Sequence, residues 1–193
     1  MPDEPGARTA RFDILLEGSV EPGVRGTCTL VRDGDLVAVI DPGLAPSQAS
    51  LLDPLRALGL DPGDVTAVVL SHHHPDHTLN AALFPDAAVH DHWAVYRGDA
   101  WDSRDCEGAV LSPSVQLLRT PGHSAEDLST LIGTPDGVVV ATHLWWGADG
   151  PADDPYAPDR DVLRASRLRV LAVADVIIPG HGAPFRPNAA TPR

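Results

Sequence analysis

The segment Ser71-His72-His73-His74-Pro75-Asp76-His77 holds four of the chain's nine histidines. Neutral imidazoles with a neighbouring carboxylate are the donor types that zinc accepts. His72 and His74 lie two apart, so in an extended chain they project to the same side. Asp76 and His77 can serve a second ion while His72 and His74 hold the first. A solvated histidine-rich loop is the bland alternative. Against it stand the internal position, the apolar run Thr66 to Leu70 just before it, and the aspartate among the imidazoles.

Two more histidines sit at glycine corners, in Thr120-Pro121-Gly122-His123-Ser124 and Pro179-Gly180-His181-Gly182. Glycine lets the backbone turn sharply and approach a neighbour closely. Either histidine alone reads as surface or packing; beside the cluster, both read as metal ligands. Trp145 and Trp146 either wall a substrate pocket or belong to the core. For Trp93, Tyr96 and Trp101, packing is the preferred reading.

These residues need a scaffold that gathers them. Apolar runs predict strands from Phe12 to Leu16, Thr27 to Val31 and Leu36 to Ile40, the last two joined by a turn at Asp33-Gly34. A helix is expected from Ser47 to Leu58, with Ser47 as N-cap. The run Thr66 to Leu70 reads as a buried strand that delivers the chain into His72. A short helix over Thr78 to Phe84 and strands at Ala87 to His90 and Val115 to Leu118 follow. A hairpin is expected from Leu128 to Ile132 and Gly137 to Thr142, then a helix within Asp159 to Ala174 and a strand from Val176 to Ile178. Residues 1–11 and 187–193 read as loose ends around a single domain of residues 12–186. Strands with interspersed helices point to an α+β fold of mixed sheets with helices outside.

The ordered motifs Asp41-Pro42-Gly43, His72 to His77, Pro121-Gly122-His123 and Pro179-Gly180-His181-Gly182 resemble those of the metallo-β-lactamase superfamily. The resemblance implies a four-layer αββα sandwich with two mixed β-sheets and a metal site at one edge. It implies one ion on His72, His74 and His123, and a second on Asp76, His77 and His181. His73 takes the variable position and is expected to point away or to act behind the ligands. Asp41 is expected to support the metal loop by hydrogen bonds. One position departs from the pattern. After the strand Val138-Val139-Val140-Ala141, His143 stands where the family places an aspartate that bridges both ions. A neutral imidazole has one free lone pair and binds one ion. His143 therefore either ligates the second ion alone, leaves that site weak or empty, is replaced by a nearby carboxylate such as Asp149, or only donates a hydrogen bond. The first outcome is the expectation. Within the superfamily the chain looks most like the metallo-β-lactamase-domain-containing protein 1 group, through Leu83-Phe84-Pro85, residues 166–175 and residues 176–185. Animal members of that group are assigned to ribonuclease-type RNA processing.

The expected cofactor is zinc, as one or two ions, with iron or manganese as substitutes. The expected reaction is hydrolysis of an ester, thioester, lactone or amide bond of a small molecule by a metal-bound hydroxide, with Asp76 orienting the nucleophile and taking its proton. The alternatives are a phosphodiesterase or ribonuclease, and a non-catalytic metal-binding protein whose site His143 closes. A formal charge of −13 disfavours nucleic acid, whose phosphates need neutralising. Cys28 and Cys106 are too few for a disulfide framework. The acidic start Met1-Pro2-Asp3-Glu4-Pro5 is unlike a signal peptide, and no apolar run is long enough to span a bilayer, so the expected location is cytoplasmic, with no membrane contact.

Overall fold

A computed structural model describes residues 8–193. Two sheets pack face to face. The first has seven strands in the order β1 (Arg11–Leu16), β2 (Cys28–Asp33), β3 (Leu36–Ile40), β4 (Ala67–Val69), β5 (Ala88–His90), β6 (Ala94–Arg97) and β7 (Ala100–Ser103). The second runs β12 (Val176–Ile178), β11 (Gly137–Ala141), β10 (Leu128–Thr134), β9 (Val115–Arg119) and β8 (Val110–Ser112). Both are mixed: β4 pairs in parallel with β3 and β5, and β11 with β12, while the other pairs are antiparallel.

Period-two burial explains the layers. Val31, Ala38, Ile40, Ala67 and Val69 face Leu117, Leu128, Ile132, Val139 and Ala141 of the other sheet. Their neighbours Leu30, Val39 and Val68 point the opposite way, onto Leu51 and Leu55 of α1 (Ala49–Ala57). On the far side, Val140 and Ile177 meet Leu163 and Val170 of α3 (Arg160–Leu171). The result is an αββα sandwich. Among the described residues, no helix is long and apolar enough to cross a membrane.

Several expectations need correction. The short helix falls earlier than Thr78 to Phe84: α2 spans Pro75–Thr78 inside the histidine motif, and Ala81–Leu83 forms only a 3₁₀ turn. Pro75 at the first helical position, where no intrahelical N–H is needed, fixes φ for that turn. The α1 helix starts at Ala49 with Gln48 as N-cap and no side-chain cap bond; Ser47 Oγ accepts the Ser50 N–H instead. Strands β6, β7 and β8 carry too little apolar alternation to be predicted.

The expected loose ends also differ. Residues 1–7 lie outside the described residues, but Ala10 is buried and Arg11 opens β1. Residues 187–193 are anchored: Thr191 is buried, and the Trp145 indole donates to the Pro192 carbonyl at 2.9 Å.

Candidate metal centre

His72, His123, His143 and His181 each follow the C-terminal end of a strand, β4, β9, β11 and β12 respectively. The strand directions place all four ends on one edge of the sandwich. His74 is extended and precedes α2, whose single turn carries Asp76 and His77 to the same edge. Close backbone contacts hold this turn. Gly26 N–H and Leu44 N–H donate to the Asp76 carbonyl at 2.9 and 3.2 Å. A Cβ at Gly43 would overlap that carbonyl, and one at Gly180 would overlap the His143 ring, so both corners require glycine.

Asp41 organises the cluster from behind. Its carboxylate accepts from Ser71 N–H at 2.7 Å, Ser71 Oγ at 2.6 Å and His77 Nδ1 at 2.9 Å. Its φ of 52° is the left-handed conformation that Asp tolerates better than most residues. With its Nδ1 so engaged, His77 presents Nε2 3.3 Å from Asp76 Oδ2. The same oxygen lies 3.6 Å from His181 Nε2.

The nitrogens converge at two points. His123 Nε2 lies 3.1 Å from His74 Nδ1, and His143 Nε2 lies 3.0 Å from His181 Nε2. One ring nitrogen each of His72, His123 and His143 falls within 4.8 Å of the others, as does one each of His77, His143 and His181. His143 is common to both groups. Two ligands on a tetrahedral zinc lie about 3.3 Å apart, close to these spacings. Moreover, His72 Nε2, His77 Nε2 and His143 Nδ1 are buried without a hydrogen-bond partner. Buried polar atoms are rarely left so. Unpartnered imidazole nitrogens pointing into a ring of other donors fit a cation.

Electrostatics agree. Burial, then the neighbouring imidazoles, hold His72 and His143 well below the ordinary histidine pKa, so both rings are neutral ligand forms. Burial likewise lowers His74 and His181. At His77 burial pulls downward, but Asp41 and Asp76 outweigh it and push the ring up to about 9. A cation at His77 Nε2 therefore competes with a proton.

His73 turns away from the centre, as expected. Its Nε2 meets Asp91 at 3.1 Å, and its ring stacks on Trp93 at 4.9 Å. Asp91 is buried and also accepts from Tyr96 OH and from the Trp93 and Ala94 N–H groups. Burial acts to raise its pKa, but these donors prevail and hold it at about 2. A folded-state value below the unfolded one contributes stability above about pH 4 that is lost as pH falls through 2. Asp91→Asn is expected to cost about 2 kcal/mol at pH 7. Urea unfolding should show the gap from wild type shrinking by pH 3.

Asp149, the suggested substitute carboxylate, is exposed. The loop after β11 instead delivers Asp154, fully buried, whose Oδ2 accepts from His123 Nδ1 at 2.8 Å and Trp146 Nε1 at 3.0 Å. The two tryptophans divide the roles considered for them. Trp145 is core, while Trp146 stacks on Tyr156 at 5.9 Å and walls a cleft. That cleft, about 490 Å³, is lined by His74, Asp76, His123 and His181 below and by Val20, Val24, Trp146 and Tyr156 above. Trp93, Tyr96 and Trp101 are not among its lining residues. A groove of about 640 Å³ at the opposite end of the sandwich contains none of the histidines. Asp154, Tyr156 and the Val20–Val24 turn were not foreseen, because loop residues carry no period that reveals where they fold.

Fold and site together define a metal-dependent hydrolase of the αββα class. The chain belongs to the metallo-beta-lactamase superfamily, whose family model matches residues 22–181. It is 36% identical over 187 residues to metallo-beta-lactamase domain-containing protein 1 of Xenopus laevis, covering 90% of this chain and 80% of that one. The crystal structure of tm0894 from Thermotoga maritima superposes with a TM-score of 0.75 at 22% identity, covering 93% of this chain and 100% of that one; this is a likeness of fold. The structure of TTHA1623 in a di-iron-bound form gives 0.65 at 26% identity, covering 89% and 94%.

Proposed function

We propose that the chain hydrolyses an ester, thioester, lactone or amide bond of a small molecule, using zinc held by the clustered histidines. One ion would be held by His72, His74 and His123. A second would be held by Asp76, His77, His181 and His143. A bound divalent cation supplies a water ionised near neutral pH and polarises the substrate oxygen.

The chain's own residues do the rest. Asp41 and Asp154 orient His77 and His123 from behind. Asp76 lines the cleft and is well placed to accept a proton from the attacking water. Burial pulls its carboxyl upward, but His77 and His181 prevail and hold it at about 2, so it is ionised at neutral pH. Trp146 and Tyr156 exclude water from one side.

The observation that carries the substrate class is the cleft lining. Its walls are Val20, Val24, Trp146 and Tyr156, its rim holds Glu21, and among the described residues no arginine lines it. Beyond the bound metal, a polyanion would meet no side-chain cation among those lining residues, whereas a neutral acyl compound meets apolar walls. The zinc-loaded protein should be assayed against aryl esters, thioesters, lactones, amides and a bis-nitrophenyl phosphodiester. Turnover of an acyl substrate is expected; cleavage of the phosphodiester alone would overturn the proposal.

His143→Asp supplies a two-oxygen carboxylate at the position shared by both histidine groups. The variant is expected to fold and to fill both sites at lower free zinc than wild type. Zinc titration followed by calorimetry reads this directly, and an unchanged two-ion isotherm would count against His143 on the second ion.

A further inference from the structure

We infer that Asp154 is a positioning residue that fixes the proton of His123 on Nδ1, so that Nε2 offers its lone pair to a cation, and that ties this ring to the wall of the cleft. The inference rests on the reading of His123 as a ligand. Asp154 lies outside every metal motif in the sequence, on the irregular segment after β11.

An ionised carboxylate only accepts hydrogen bonds. The His123 nitrogen facing Asp154 Oδ2 at 2.8 Å is therefore an N–H. In the neutral ring the other nitrogen then carries the free pair, and it is this Nε2 that lies 3.1 Å from His74 Nδ1. Without Asp154 the ring can place its proton on Nε2 instead, and that tautomer cannot bind a cation there. Both Asp154 oxygens already face groups that can only donate, the Trp146 indole N–H and the Tyr156 backbone N–H, which marks the carboxylate as an acceptor.

The same carboxylate orders the cleft. Its Oδ2 accepts from Trp146 Nε1 at 3.0 Å, and its Oδ1 accepts from Tyr156 N–H at 2.9 Å. The loop that carries it is held from beneath by the buried Arg167 of α3, which donates to the Pro151 and Ala152 carbonyls at 2.7 Å each. One buried acceptor thus fixes a metal-site imidazole and both aromatic walls.

Two measurements test this, and neither uses turnover, so a failed substrate assignment leaves them intact. Long-range proton–nitrogen correlation spectra of metal-free wild type at neutral pH should show His123 protonated at Nδ1. Chelator competition should show zinc affinity falling about 10–100-fold in Asp154→Ala, the usual cost of losing a carboxylate behind a ligating histidine. Asp154→Asn keeps one acceptor for His123 and should fall between Asp154→Ala and wild type. Trp146→Phe removes a donor but leaves the His123–Asp154 bond, and should stay near wild-type affinity. If Asp154→Ala does not fold, the wild-type spectrum and the Asn variant decide. A wild-type His123 ring protonated on Nε2 and not on Nδ1, or a folded Asn variant with affinity within about twofold of wild type, would overturn the inference.

Discussion

His123→Ala is expected to lose about one equivalent of zinc and most of any hydrolytic activity, well beyond the roughly 10–100-fold that a lost supporting contact costs. A catalytic zinc needs three protein ligands to hold its place while leaving a position open. Removing His123 leaves His72 and His74 for the first ion, and His72 then keeps an unpartnered Nε2 in a buried site. The variant should still fold, because His123 packs against the site and not within the three hydrophobic clusters. Metal analysis on protein purified without chelator reads the first effect, and rates on the responsive panel substrate read the second. His73→Ala is the matched comparison. It removes an imidazole from the same motif, but one that faces Asp91 and Trp93, so zinc content should not change. If the two variants lost zinc equally, ligand assignment by motif position would be wrong.

The ligand candidates were legible because metal chemistry restricts residue type, and their spacing survives any choice of loop shape. The central strands were legible too. Runs such as Ala67 to Leu70 and Val139 to Ala141 are buried on both faces, so every position is apolar. Strands β6 to β8 lie toward the sheet edges; β7 is exposed throughout, β8 only partly buried, and β6 offers just Ala94 and Val95 as buried positions, too short a pattern to announce a strand. The helix inside the motif was missed for another reason. Its four residues include two that the site requires, Asp76 and His77, and Pro75 supplies the only local helix signal. Asp154 is the extreme case. Asp153 and Asp154 are adjacent and chemically identical in the sequence, yet Asp153 is exposed and Asp154 is buried against His123. Only the fold separates them.

Arg167→Met should lower stability by about 3–5 kcal/mol, because three buried carbonyls lose their donor at roughly 1–3 kcal/mol each. In a chain of this size that is a fall in melting temperature of roughly 10 °C. Nothing in the sequence singles this residue out among the arginines of α3, Arg160, Arg164, Arg167 and Arg169. The buried face of α3 is instead Leu163, Ser166, Arg167 and Val170, while Val162 and Leu168 are exposed. Arg167 is wholly buried over the Trp145 ring and donates to the carbonyls of Leu144, Pro151 and Ala152. Methionine fills similar space but leaves all three acceptors short of a donor. Arg169 provides the contrast: it pairs with Glu107 at the surface, and Arg169→Met should cost less than about 1 kcal/mol. Because Pro151 and Ala152 lead directly into Asp154, Arg167→Met should also weaken zinc binding, although Arg167 touches no histidine. Thermal unfolding without metal and chelator competition with zinc separate the two effects. A variant that lost stability but kept full zinc affinity would mean that Asp154 holds His123 without support from α3.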